Sequence, residues 1–354
     1  MNKKSVLIAC DMWFGSTAYG LAKGFRDNGW DVYEVNTIRY MPDYSSKLLR
    51  GIKRIIKPLA VAEYNQQILK TVKLQKPSLF LTVKGSYLQA TTLQELSDMG
   101  VPTVNYYPDY HFSYKGVVDQ AIFPFYTHFF TTKSFQVDYL EKMLGKAKVS
   151  FLSHGYVSEV HKPAYKANTK HPEKSLTDLV YIGTYDQQKE EWFTAIKKCF
   201  PKQQFKIYGE SWLQKAKSPL LKESIVGQGV YGSAYAITIQ SAKINLAIHM
   251  GVADKTGWQD LVSTRTFEIP ACKGFMLHVD NEEVRSLFEP DKEIGVFSDI
   301  ESLFEQIEYY LSNEQQRLEC IENAYQRCVP AYSYDARAES IIDWYMMNKK
   351  SNYC

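Results

Sequence analysis

The sequence predicts an α/β protein built from two doubly wound domains, each a parallel sheet wrapped by helices, facing each other across a cleft. Three observations carry that expectation. Short β-branched and apolar runs alternate with helical stretches along the whole chain. A polar, Lys-rich break with two prolines, HKPAYKANTKHPEKSLTD, interrupts the alternation at residues 161 to 178, and the pattern then restarts. Finally, 354 residues exceed one comfortable core and suit two domains of ordinary size.

In the first half, SVLIAC reads as a buried strand, DMWFGST as a loop and AYGLAKGFRDNG as a helix. WDVYEVN, PSLFLTV, VPTVNYY, THFFTT and KVSFLS supply further strands, with helices over residues 45 to 75, in TTLQELSDMG and in SFQVDYLEKMLG. In the second half DLVYIGTY, QFKIYG, KINLAIH and GFMLHV are the apolar strand runs, and QKEEWFTAIKKCF and IESLFEQIEYYLSN the long helices. The expected division is 1–165, 176–332 and a final helical segment 333–354 that crosses back to the first domain. In such folds ligands bind beyond the carboxyl ends of the strands.

Composition narrows the function. The chain is 45% hydrophobic and 23% charged, with 42 basic against 39 acidic residues, so no global field points to nucleic acid. Its six cysteines are scattered, without C-x-x-C pairs or His at ligand spacing, which suggests neither zinc nor a disulfide framework and fits a reducing cytoplasm. The apolar run near the N-terminus meets Asp11 after six residues, too soon for a signal peptide, and no stretch approaches the ~20 apolar residues of a membrane span. In KLLRGIKRIIKPLA, however, Leu48, Leu49, Ile52, Ile55 and Ile56 share a helical face, with Lys47, Arg50, Lys53, Arg54 and Lys57 around it. This segment, residues 47–58, is a candidate for peripheral contact with anionic lipid at the inner face of a membrane, or for packing on its own sheet.

Candidate binding residues lie at strand ends. The loop from Gly15 to Gly20, GSTAYG, has only the outer glycines of a dinucleotide fingerprint, and the second strand ends in Asn36 instead of a ribose-binding acid, so a nicotinamide enzyme is disfavoured. Gly15, Ser16 and Thr17 make either a plain strand-to-helix turn or one whose amides face a ligand, and Lys84, at the end of LFLTVKG, sits at a strand terminus where it could reach the cleft. Gly183, Thr184 and Tyr185 form a similar turn in the second half. In STRTFEIPACKGFML, Ser263 or Thr264 can N-cap a short helix, so that its first amides, Thr266 among them, and the fork of Arg265 would face phosphate oxygens and Glu268 ribose hydroxyls; the alternative is a first-turn glutamate that complements the helix dipole beside a solvated Arg265.

These residues carry a resemblance. VYIGTY, KIYGESW, SAKINLAIH, STRTFEIPACKGFMLHVDNEEVRSLFEPDKEIGVF and YYLSNEQQR resemble the C-terminal domain of GT-B-fold glycosyltransferases, specifically the CgeB-like group within glycosyltransferase group 1; the first half is similar more loosely, through LFLTVKG, NYYPDYHF and FFTTKSFQVDYL. The resemblance implies two Rossmann-like domains, a nucleotide-sugar held by the second, and a glycan or lipid-linked acceptor held by the first. It implies a cytoplasmic, metal-independent enzyme without cofactor, acting in surface polysaccharide or glycoconjugate synthesis. Enzymes of this fold carry two glutamates separated by seven residues; the second corresponds to Glu268, the ribose ligand, and the first to the shorter Asp260. Lys273 stands where glycine is usual. Tyr208, Tyr231 and Ser233 would flank the base, and His249 would reach the donor. Arg265 would stabilise the charge that develops on the diphosphate. Asp109 with His111, or else Asp11, would serve an inverting enzyme as base. A retaining enzyme needs none, and the glutamate pattern favours retention. The alternatives are a sugar-nucleotide 2-epimerase of the same fold and a non-catalytic nucleotide-sugar-binding protein.

Overall fold

The computed structural model describes residues 4–41, 47–112, 114, 116–164, 177–249 and 257–351, without the side chains of 47–54, 350 and 351. Two compact units make up the chain: Met1–His154 together with Tyr334–Cys354, and Gly155–Ser333. The division falls at His154, so residues 155 to 164 belong to the second unit and not, as expected, to the first. The rest of the segment read as a linker, 165–176, lies outside the described residues.

In the first unit the chain runs through β1 (Ser5–Cys10), α1 (Thr17–Asp27), β2 (Asp31–Asn36), α2 (Lys47–Gln75), β3 (Leu79–Val83), α3 (Ala90–Asp98), β4 (Thr103–Tyr107), β5 (His128–Thr131), α4 (Val137–Leu144) and β6 (Val149–Phe151). All six strands are parallel, in the order β2-β1-β3-β4-β5-β6. Every residue of β1 is buried, which is why SVLIAC has no alternation: helices cover both faces of its sheet. The topology reverses between β1 and β3, so their carboxyl ends flank the crevice where such sheets take ligands. Of the basic amphipathic segment at the start of α2, the side chains up to Arg54 lie outside the described residues; Ile55 beyond them is 70% exposed and does not pack on the sheet.

The second unit contains β7 (Thr177–Ile182), α5 (Gln187–Cys199), β8 (Phe205–Tyr208), α6 (Trp212–Lys215), α7 (Ser233–Gln240), β9 (Ala242–Ala247), α8 (Arg265–Ala271), β10 (Met276–Val279), α9 (Glu282–Leu287), β11 (Gly295–Phe297), α10 (Ile300–Ser312) and α11 (Glu314–Cys328). Its five strands are also parallel, ordered β11-β10-β9-β7-β8, and the reversal lies between β7 and β9.

The last helix, α12 (Tyr334–Ser351), belongs to the first unit. Tyr334, Ala338, Ile341 and Tyr345 are its buried stripe, spaced to fall on one helical face. A Cβ on Gly20 would lie 2.6 Å from the Tyr334 ring and one on Gly24 2.7 Å from the Tyr334 carbonyl, so two turns of α1 are kept bare for this contact. Arg337 locks it, donating from Nε to the Ser153 and His154 carbonyls at 3.1 Å each. No helix among the described residues is long and apolar enough to cross a membrane.

Candidate functional site

In the second unit the residues gather at the switch point between β7 and β9. Arg265 begins α8 and reaches back across both strand ends, donating from Nη1 to the Ile182 carbonyl at 3.2 Å and from Nη2 to the Ile248 carbonyl at 3.1 Å. Its guanidinium lies over the Tyr181 ring, 5.3 Å from the centroid. The Nε is buried and, among the described residues, has no acceptor. Arg265 is therefore a permanent positive charge fixed at the ligand crevice, though part of its fork is occupied by backbone.

Gly183 follows β7 directly because nothing larger fits: a Cβ there would meet the Tyr181 hydroxyl at 2.5 Å and Arg265 Nη1 at 2.6 Å. The expected anion cradle is corrected in one respect. The Gly183 amide donates to the Tyr208 carbonyl at 2.9 Å, the Tyr185 amide to the Glu210 carbonyl at 3.1 Å, and the Asp186 side chain caps α5. These amides are spent on the fold, so Gly183 admits the guanidinium and does not itself hold an anion. The Tyr185 hydroxyl likewise donates to Glu190, at 2.8 Å. Gly209, after β8, presses on the same turn; a Cβ on it would lie 2.1 Å from the Gly183 carbonyl.

The start of α8 also differs from expectation. Neither Ser263 nor Thr264 caps it with a side chain; Thr264 is already helical, and the hydroxyl of Thr266 accepts the Ser263 amide at 3.2 Å. The Thr266 hydroxyl also lies 3.0 Å from His278 Nε2. His249, expected to face the donor, points its Nε2 at the same atom, 2.8 Å away. His278 Nδ1 lies 2.6 Å from the Val279 carbonyl, which places its proton there and leaves Nε2 as acceptor for both neighbours. Burial holds the His278 pKa down at about 4, with the Arg265 charge a lesser cause.

Glu268, one turn into α8, keeps 14% of its side chain exposed and faces a residue that the sequence reading assigned to the linker: His161, with Nε2 3.7 Å from Oε1. His161 is buried, and its Nδ1 accepts the Val157 amide at 3.0 Å, so the neutral ring turns its own N–H toward the carboxylate. The Tyr235 ring packs edge-on against His161 at 5.2 Å. Burial, with the charge of Glu268, raises the Tyr235 hydroxyl well above its ordinary pKa. The remaining candidates are more peripheral: Tyr208 ends β8, Tyr231 is 58% exposed, Ser233 opens α7, Thr184 is exposed and Asp260 half-buried. Lys273 takes the left-handed conformation (φ 57°) that glycine would, and reaches Glu322 at 2.6 Å.

In the first unit, Asp11 and Lys84 follow the two strands at the switch point. Lys84 pairs with Asp109 at 2.6 Å and lies 3.4 Å from the centre of the Tyr114 ring. Asp109, read as a base, is thus neutralised by an ion pair, and His111 stacks on Tyr114 at 4.6 Å. Two acceptor-side assignments are corrected. The Ser16 side chain caps α1, accepting the Tyr19 amide at 3.1 Å, and the Thr17 hydroxyl bonds the Tyr334 hydroxyl at 2.9 Å; both are spent on α1 and its docking to α12. Gly15 (φ 87°) makes the turn between them and β1. Asn36, where a dinucleotide enzyme has its acid, instead clamps the Met12 backbone, donating from Nδ2 to the carbonyl at 2.9 Å. Among the described residues, no group of three or more His, Cys, Asp or Glu side chains is placed to hold a metal ion.

With this geometry in view, comparison with known proteins is specific about architecture. No curated protein matches the chain at a significant level. The chain is similar to sucrose-phosphate synthase from Thermosynechococcus elongatus, at 12% identity and TM-score 0.66, over 99% of this chain and 100% of that one. It is similar to Anabaena HepE solved with UDP and glucose, at 10% identity and TM-score 0.64, over 96% and 98%. A UDP-N-acetylglucosamine 2-epimerase is also similar, at 11% identity and TM-score 0.56, over 99% and 98%. Likeness at such identity is one of fold. The chain thus has the GT-B fold with two Rossmann-like, parallel-sheet domains, and its residues 187–343 match the family model described as glycosyl transferase-like.

Proposed function

We propose that the protein is a glycosyltransferase that moves a sugar from a nucleotide-sugar donor, bound by the second unit, to a glycan or lipid-linked acceptor bound by the first. The observation that carries the reading is the placement of Arg265 and Glu268 on one short helix at the β7/β9 switch point, inside the segment that matches the glycosyl transferase-like family. Arg265 would stabilise negative charge developing on the leaving diphosphate, a contribution of about 3 kcal/mol for one preorganised donor. Because the guanidinium is already anchored to two carbonyls, little reorganisation is needed as the charge appears. Glu268, oriented by His161, would accept hydrogen bonds from ribose hydroxyls. The UDP and glucose in the Anabaena structure support a uridine nucleotide as the first to test.

Retention of configuration suits the first unit. Asp109, the first candidate for an inverting enzyme's base, is paired to Lys84, and in a retaining transfer the leaving phosphate can take the acceptor proton on the same face. The test is turnover of a nucleotide-sugar panel with and without acceptor extract. Nucleotide release that depends on acceptor is expected. Isomerisation without acceptor would make the protein an epimerase, and binding without turnover a non-catalytic nucleotide-sugar-binding protein.

A further inference from the structure

The loop after β1 carries two large aromatic side chains that its fold does not bury: Trp13 is 49% exposed and Phe14 56%. Full burial of such a side chain is worth about 1.5–3 kcal/mol, and half-exposed ones forgo roughly half of that each, so two adjacent ones call for a cause.

The loop is not slack. Asn36 holds Met12 from both sides, accepting its amide at 3.3 Å and donating to its carbonyl at 2.9 Å. The Ser16 amide closes a turn on the Trp13 carbonyl at 3.0 Å, Gly15 takes the left-handed conformation the turn needs, and the Phe14 ring leans edge-on against Tyr19 at 5.2 Å. Two aromatic plates are therefore presented in a fixed geometry, which removes most of the ordering cost of binding.

Their surroundings select a ligand class. Asp11 lies two residues before Trp13, and Lys84 stands across the switch point; desolvation raises the Asp11 pKa, opposed in part by Thr37 and then by the Lys84 charge. A lipid chain would leave the Asp11 carboxylate unanswered, and a polyanion would be repelled by it; Lys84, already paired with Asp109, keeps further N–H groups to donate. A pyranose ring satisfies both kinds of surface. Its C–H face, weakly positive, packs on the negative face of an aromatic ring, while its hydroxyls donate to a carboxylate and accept from an ammonium.

We propose that the Trp13–Phe14 loop is a carbohydrate-stacking platform, so that the acceptor offers a sugar ring to the first unit, stacked on Trp13 and flanked by Phe14, with a hydroxyl directed to Asp11. The proposal rests on the glycosyltransferase reading and narrows its acceptor to the carbohydrate portion of the molecule.

The experiment titrates the full-length protein with maltotriose, cellotriose and chitotriose, following ligand saturation-transfer NMR and intrinsic tryptophan fluorescence, for the wild type, Trp13→Phe, Trp13→Ala and Phe14→Ala. At least one trisaccharide is expected to bind and quench fluorescence. Trp13→Ala should weaken that binding tenfold or more, Trp13→Phe at most threefold, and neither should alter UDP affinity by calorimetry, which also reports that the variants fold. Unchanged glycan affinity in Trp13→Ala overturns the proposal, as does the absence of trisaccharide binding. Transferase activity with wild-type acceptor KM in Trp13→Ala would remove the platform and leave the transferase reading intact. Glycan binding that depends on Trp13 without turnover of any nucleotide-sugar would do the reverse.

Discussion

His161 and Glu268 meet with Nε2 3.7 Å from Oε1, beyond hydrogen-bonding distance and well within Coulombic reach. The imidazole is anchored behind by the Val157 amide and so acts as a fixed backstop, setting the orientation of the one carboxylate in α8.

Glu268→Ala should lower UDP affinity tenfold or more by calorimetry, while melting curves show that the variant still folds. His161→Asn, acting only through orientation, should lower it about threefold. Equal affinity in Glu268→Ala and the wild type would remove this carboxylate from the donor site.

Gly183→Ala puts a methyl group 2.5 Å from the Tyr181 hydroxyl and 2.6 Å from Arg265 Nη1. The guanidinium must shift, so UDP affinity should fall at least tenfold while the protein still folds. Gly209→Ala meets unyielding backbone at 2.1 Å and holds φ at 140°, and its Tm should fall further than that of Gly183→Ala. Melting curves of the two variants, measured side by side, check the order.

Lys273 tests how a side chain substitutes for glycine in a left-handed turn. The conformation costs about 1 kcal/mol for a non-glycine residue. The surface ion pair to Glu322 and the contact over the Tyr325 ring, 4.6 Å to its centroid, each return about 0.5–1 kcal/mol. Lys273→Gly should therefore lie within about 1 kcal/mol of wild type in urea denaturation. Lys273→Ile, which keeps the strain and loses both contacts, should be destabilised by about 1–2 kcal/mol.

Acid should weaken the protein through its buried histidines. Burial lowers His128 and His278 to about 4, and also lowers His154 and His161. Above the unfolded value of 6.5 all are neutral in both states and the stability is fully present. As pH falls from 6.5 toward about 4 the unfolded chain takes up protons that the folded one refuses, so stability is lost by about 1.4 kcal/mol per pH unit for each such histidine. Calorimetric melts at pH 7.5, 6.5 and 5.5 should show Tm nearly level over the first interval and dropping over the second; His128→Gln should flatten the drop.

Arg337→Met should loosen α12 from the rest of the first unit, since it removes the guanidinium hydrogen bonds to the Ser153 and His154 carbonyls and leaves them only the Tyr106 and Ser153 hydroxyls. A cost of about 2–3 kcal/mol is expected. Hydrogen exchange should speed up in α1 and α12 while α8 and β7 keep their protection.

The two parallel sheets were legible because strand burial leaves its mark on composition: SVLIAC, LFLTV and KINLA are buried runs whose period is interrupted only by turns. The segment around Arg265 and Glu268 was legible for a similar reason, since one short motif carries both residues and their strand-end setting. What local sequence does not encode is the partner. His161 looks like the start of a polar linker until Glu268, far along the chain, is folded beside it. Ser16 and Thr17 read as a ligand turn because nothing nearby shows that Tyr334 will bond one of them. Nor does LFLTVKG reveal that Lys84 and Asp109 will neutralise each other.

The bare glycine face of α1 has a further consequence for how the polypeptide emerges from the ribosome. Gly20 and Gly24 wait for Tyr334, which is synthesised only after the whole of Gly155–Ser333. The inserted unit is complete in sequence before its host is, and can close its own core while the host still exposes the groove meant for α12. Vectorial synthesis thus favours an order in which the second unit matures first and the first is sealed only once α12 has been made.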